Sequence, residues 1–268
     1  MSEHVFFSIR DGEWFVGNDG ARGPWSADAC HAGPVTGLLV RALERAIDDK
    51  QLVRITADYV RPIPMSGFRI ETEIVRSGRA VAAGTATLID ADGKTCATAT
   101  SLHIVRSDFD SLPTSTVDVP NKCDAVPGEF VVESAHHDKP FFRDWIEVAY
   151  PPGESNTPGP TTIWMKAPPL LAGEDPSPFQ SICALADCGN GTSRNANLDE
   201  ASFVNPDLTI ILHRLPETEW HALSAISFWE KSGIGLSQAT LFDEKGPVGV
   251  ASQTLLIQPL STASAIRP

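Results

Sequence analysis

The stretch Phe203-Val204-Asn205-Pro206-Asp207-Leu208-Thr209-Ile210-Ile211-Leu212-His213-Arg214 decides how the chain is read. Leu208, Ile210 and Leu212 alternate with Thr209 and Ile211, the period-2 pattern of a strand with one buried face. Pro206 stands at the start, where a missing ladder donor is tolerated. Asp207 stands at the mouth of the apolar run. It is either a turn-forming residue of the Asx type or a functional carboxylate.

Around this stretch lies a repeat. Ala86-Thr87-Leu88-Ile89-Asp90 matches Ala239-Thr240-Leu241-Phe242-Asp243, an offset of 239 − 86 = 153. The same offset carries Gly93 onto Gly246, Arg61 onto Arg214 and Thr56 onto Thr209. Each half has hairpin-like strands, one helix and about four further strands, so one fold is duplicated. In the first half, Val35, Leu38, Leu39, Ala42, Leu43 and Ala46 make one apolar helical stripe, with Pro34 suited to the first helical position and Gly33 to the cap. In the second, Ser177, Pro178 and Gln180 form a capping-box start, Phe179, Ile182, Cys183 and Ala186 the stripe, and Gly189-Asn190-Gly191 the stop. The expected fold class is α+β: two tandem hotdog domains, each a long helix wrapped by an antiparallel sheet. Residues 1–106 form the first domain and 129–268 the second. The Asp-, Ser-, Thr- and Pro-rich segment 107–128 reads as the linker.

Composition limits the function. The 268 residues carry 21 basic and 34 acidic side chains, a net charge of −13, which argues against nucleic acid or an anionic membrane surface as partner. The five cysteines are scattered, with no CxxC pair, so neither a disulfide framework nor a zinc knuckle is suggested and a reducing cytoplasm is expected. His136-His137-Asp138 resembles a metal cluster, but adjacent histidines on an extended chain do not face one ion; no metal is expected. No signal peptide is seen at the N-terminus, and no apolar run approaches the ~18 residues of a membrane span. Cys188 has no nearby His–Asn partner and reads as a helix-end residue. There is no G-x-S-x-G elbow of an α/β-hydrolase.

Five stretches in order resemble the double-hotdog acyl-CoA thioesterases of the type II group: residues 23–34 (GPWSADACHAGP), 186–191 (ADCGNG), 205–209 (NPDLT), 212–214 (LHR) and 246–254 (GPVGVASQT). The resemblance implies hydrolysis of acyl-CoA to free acid and coenzyme A, in lipid metabolism, by a water molecule held on an Asp, a hydroxyl and a Gln of the second hotdog. It puts these on Asp207, six residues before His213, on Ser227 after Trp220, and on Gln253. It makes the start of the first helix, His31 and the Gly33 amide, the substrate-binding and oxyanion end. It implies no cofactor beyond the coenzyme A of the substrate, and a homo-oligomer. Two other readings keep the fold: a non-catalytic acyl-CoA-binding protein, and an enoyl-CoA hydratase using Asp207 with His213. Six residues of extended strand separate that second pair by about 20 Å.

Overall fold

The computed structural model describes residues 4–109, 111–115, 117–130, 132 and 138–259; His136 and His137 lie outside the described residues. The strands are β1 (Phe7–Arg10), β2 (Trp14–Gly17), β3 (Gln51–Tyr59), β4 (Phe68–Ser77), β5 (Val81–Asp90), β6 (Thr95–Ile104), β7 (Val126–Pro127), β8 (Glu147–Tyr150), β9 (Thr161–Lys166), β10 (Ala201–Val204), β11 (Asp207–Leu212), β12 (His221–Trp229), β13 (Ile234–Asp243) and β14 (Gly246–Pro259). The helices are α1 (Ala32–Ala46), α2 (Pro178–Ala186) and the single turn α3 (Gly189–Thr192). One sheet runs β1-β2-β4-β5-β6-β3-β11-β14-β13-β12-β9-β8-β7, with β10 pairing to β14. The architecture is the expected pair of hotdogs. Among the described residues no helix is long and apolar enough to cross a membrane.

The two halves join where β3 and β11 pair antiparallel. Thr56 stands opposite Thr209, and their hydroxyls lie 3.0 Å apart. These two threonines are each other's equivalents in the repeat. A residue that pairs with its own copy marks a pseudo-twofold axis through the seam. Each half therefore protects the other's edge strand, which would otherwise offer unpaired amides. On the inner face of this continuous sheet one apolar core spans both halves, from Leu38, Ile55 and Leu88 to Ile182, Leu208 and Leu241.

The helices also lie side by side. A Cβ on Gly33 would sit 2.9 Å from the Ala184 carbonyl oxygen and 3.1 Å from the Asp187 Cβ; one on Gly37 would meet Leu170 at 3.0 Å and the Gln180 carbonyl at 3.3 Å. These two glycines, one turn apart, let α1 lie along α2, Gly33 against its end and Gly37 against its first turn. At the opposite end, Glu44 of α1 accepts from Ser177 at 2.8 Å and from Gln180 Nε2 at 2.7 Å. Burial raises the Glu44 carboxyl above its ordinary range, against the pull of those bonds. Ser177 caps α2 through the Gln180 amide as expected, but the Gln180 side chain reaches Glu44 rather than closing a capping box.

Three local readings change. The cap of α1 is His31, whose Nδ1 accepts from the Gly33 amide; Pro34 stands at the third helical position, where an amide would still lack an intrahelical partner. Gly189-Asn190-Gly191 does not stop the second helix: α2 ends at Ala186, and these residues form α3. The Phe203–Leu212 run is two strands. β10 meets β14 with Phe203 opposite Ile257, whereas β11 meets it with Thr209 opposite Ser252, a register shift of one residue across Asn205-Pro206.

Gly33→Ala, which drives a methyl into backbone, should lower unfolding free energy by about 1–3 kcal/mol in urea titration. Gly37→Ala should cost less, because the Leu170 side chain can move. Equal losses would show that the close approach at Gly33 is not limiting.

Candidate active site

The register shift at Pro206 sorts the candidate residues between two faces. Leu208, Ile210 and Leu212 are buried inward. Asp207 shares its parity with Thr209 and the exposed Ile211, and so faces outward. There its carboxylate accepts from the Thr254 amide at 2.6 Å and the Thr254 hydroxyl at 3.2 Å. Gln253, next to Thr254, points the other way and is 2% exposed. Asp207 and Gln253, expected to share one water, thus stand on opposite sides of the sheet.

Gln253 meets another acid. Its Nε2 donates to the Asp187 carbonyl at 2.9 Å and to Asp187 Oδ1 at 3.1 Å; its Oε1 accepts from the Asn190 amide at 3.1 Å. Asp187 caps the C-terminal end of α2 and is 5% exposed. Asn205, still on the inner side because it precedes the shift, donates from Nδ2 to Asp187 Oδ1 at 2.8 Å. Asn205 Oδ1 in turn accepts from Asn190 Nδ2 at 2.9 Å. Oδ1 of Asp187 is therefore held by two side-chain amides.

Oδ2 faces the start of α1, 3.2 Å from His31 Nδ1. The imidazole stacks on Phe142 with centroids 4.1 Å apart. Burial pushes His31 down to about 3, so at neutral pH it is uncharged and the contact is not an ion pair. Burial pushes Asp187 up to about 7, while bonds from Asn205, the Gly33 amide and Gln253 pull it down. Nδ1 has one lone pair, which the Gly33 amide occupies at 3.1 Å; a hydrogen bond between Nδ1 and the Asp187 carboxylate takes the tautomer with its proton on Nδ1, which leaves the Gly33 amide to Asp187. Two expected ligand-binding groups, His31 and the Gly33 amide, are thus brought to one carboxyl. Nearby, the Tyr59 hydroxyl bonds Thr36 at 2.7 Å, and burial together with the Asp187 charge keeps that phenol neutral.

Ser227 lies on the same inner face. It is opposite Ser237, which is opposite Gln253, giving a cross-strand row of three polar side chains. The hydroxyl of Ser227 is 2.7 Å from that of Ser193, just beyond α3. Gly189 at the start of α3 rests on this row; a Cβ there would lie 2.9 Å from Ser237 Oγ. Arg214 holds Asp243 through two bonds of 2.8 and 2.6 Å and supports a turn. Among the described residues no group of three or more His, Cys, Asp or Glu side chains is arranged to hold a metal.

Asp187 does not stand out in the sequence, because its neighbourhood reads as a helix stop. Parity held the warning: counted back from Leu208, Asp207 points out, while Gln253 keeps step with the buried Ala251 and Leu255.

Comparison with known proteins adds the chemistry. The acyl-CoA thioesterase N-terminal domain family matches residues 21–104, and the acyl-CoA thioesterase C-terminal domain family matches residues 120–257. A protein of Novosphingobium aromaticivorans assigned as a thioesterase is 19% identical, covers 94% of this chain and 98% of its own, and superposes with a TM-score of 0.72. A hot dog fold protein of unknown function from Alicyclobacillus acidocaldarius is 18% identical, with 93% and 95% covered and a TM-score of 0.70. Acyl-CoA thioesterase II TesB2 of Mycobacterium marinum is 15% identical, with 97% and 98% covered and a TM-score of 0.66. At these identities the likeness carries the fold. No curated protein sequence matches. The two matched domains span most of the sequence in the order that the duplication requires, and the chain belongs to the acyl-CoA thioesterase family of thioester hydrolases.

Proposed function

We propose that the protein hydrolyses acyl-CoA to free acid and coenzyme A with Asp187 as general base and no covalent intermediate. The observation that carries this is the buried carboxyl held at Oδ1 by Gln253 and Asn205, with Oδ2 turned to the start of α1. Burial supplies what a base near neutrality needs, an affinity for protons close to pH 7. Water on Oδ2 gives its proton to Asp187 as its oxygen attacks the thioester carbonyl. The positive end of α1 stabilises the oxyanion. Collapse breaks the C–S bond, and the proton on Asp187 goes to the departing thiolate. His31 sets the imidazole against which Oδ2 is oriented, and Ser227 supports α3 through Ser193. Asp207 serves as a fastener between β11 and β14.

Self-association through the outer face of the second half extends this reading. Ile211 opposes Val250 there, and Phe228 opposes Leu236; these four side chains are 41–49% exposed. The equivalent face of the first half carries Arg69, Glu71 and Glu73. This face is richer in apolar side chains in the second half, although Ile74 and Val75 are also exposed in the first, and it suits pairing with the same face of a second copy. The five unpaired cysteines fit a cytoplasmic setting.

Thiol release from short-, medium- and long-chain acyl-CoA tests the chemistry. Asp187→Asn should lower kcat/KM by about 10²–10⁴, Gln253→Ala by a smaller factor, and Asp207→Asn should leave it close to wild type. Loss in Asp207→Asn with activity retained in Asp187→Asn would overturn the assignment.

The pH dependence has a worked sign. The active base is the carboxylate, so kcat/KM should rise through about pH 7 and then level. The folded protein holds the Asp187 proton more tightly than the unfolded chain, whose carboxyl titrates near 3.9. That stabilisation is complete below the unfolded value and is lost as pH rises through about 7. Thermal unfolding of Asp187→Asn should lack this loss. For association, Phe228→Asp should reduce the mass measured by light scattering to that of one chain; a monomeric wild type would remove the interface.

A further inference from the structure

Arg194 is 5% exposed and lies just beyond α3. Its Nη1 donates to the Gly191 carbonyl at 3.4 Å, and its Nη2 to the Asn156 carbonyl at 3.0 Å and Oδ1 at 3.3 Å. Its Nε is buried with no partner. No carboxylate pairs with it among the described residues. The contrast within the molecule is direct: Arg41, at 8% exposure, donates to both oxygens of Glu174 at 2.7 Å, and the half-buried Arg214 donates to both of Asp243. A guanidinium stays charged in proteins, and burying it without a counter-charge is costly. In a chain of net charge −13, with acids in excess, the missing partner is informative.

The position is as telling as the charge. The α3 segment carries the Asn190 amide that meets Gln253, then Ser193 that meets Ser227, then Arg194. The segment that bears Arg194 thus also carries the Asn190 amide bonded to Gln253. The loop of residues 151–160 closes over it, with the Gly159 amide on the Arg194 carbonyl at 2.8 Å.

We propose that Arg194 receives an anionic group of the thioester substrate, either a carboxylate at the far end of the acyl chain or a phosphate of coenzyme A. The Nε edge would take two oxygens of the anion. This rests on the hydrolytic reading for the thioester, but not for the anion.

Four probes separate the sources: hexanoyl-CoA, adipoyl-CoA of the same chain length with a terminal carboxylate, and the same two acyl groups on pantetheine, which lacks phosphate. Thiol release is measured for wild type, Arg194→Gln and Arg194→Lys, and binding by calorimetry on Asp187→Asn with and without Arg194→Gln. A carboxylate site predicts that wild type prefers adipoyl to hexanoyl by at least about tenfold on both carriers, that Arg194→Gln removes the preference and that Arg194→Lys keeps part of it. A phosphate site predicts the same pattern for the ratio of coenzyme A to pantetheine esters. If Arg194→Gln leaves both ratios unchanged, whether or not it lowers all four rates together, Arg194 only fastens the loop and the proposal fails. If wild type releases thiol from no probe, the hydrolytic reading fails, while the calorimetric ratios still decide the anion site.

Discussion

The contact on which the rest depends is the approach of α1 to α2 across Gly33. With no Cβ there, the open N-terminal turn of one helix comes against the C-cap of the other. That brings a positive helix end, a neutral histidine and a carboxyl into one dry place. A buried carboxyl without such surroundings would simply stay protonated. Here the two side-chain amides on Oδ1 and the Gly33 amide pull against burial, and the compromise lies near pH 7. Packing and reactivity are thus one problem: the close approach that builds the core also tunes the acid.

The proposed site draws on both halves. The start of α1 comes from the first hotdog, and Asp187, Asn205 and Gln253 from the second. At the other end of the helix pair, Glu44 is held by the cap and first turn of α2. The two ends share a plan, a carboxyl near the end of one helix bonded at the start of the other. They differ in partners. Asp187 is shared among three elements, so its position follows the sheet as well as the helices.

Much of the fold was legible because its signals are local. The period-3.6 stripe of α1, the period-2 runs and the offset of 153 residues need no knowledge of distant contacts. The seam even obeys that offset, with Thr56 beside Thr209. The site was less legible, because it rests on a one-residue register change. Reading from Phe203 forward turns Asp207 inward; reading from Leu208 backward turns it outward. The bulge at Asn205-Pro206 makes the second count correct and leaves Asn205, not Asp207, on the inner side. Asp187 was hidden differently. Asp before Cys-Gly-Asn-Gly reads as a terminated helix, and only the extra turn α3 reveals a cradle. Gln253, His31 and Gly33, read from the sequence as site residues, meet at one carboxyl, that of Asp187 rather than Asp207.

The seam has an evolutionary sense. A strand that pairs with its own copy about a local axis is the interface of a homodimer, here made permanent by a covalent link. Fusion fixes the ratio of the halves and raises their effective concentration, so neither must keep what the other supplies. At the position of Asp207 the first half has Arg54, and where β12 carries Ser224 and Ile226, β4 carries Glu71 and Glu73. Once joined, the two copies could specialise, one keeping a helix start and the other the acid, as identical subunits of a dimer never can.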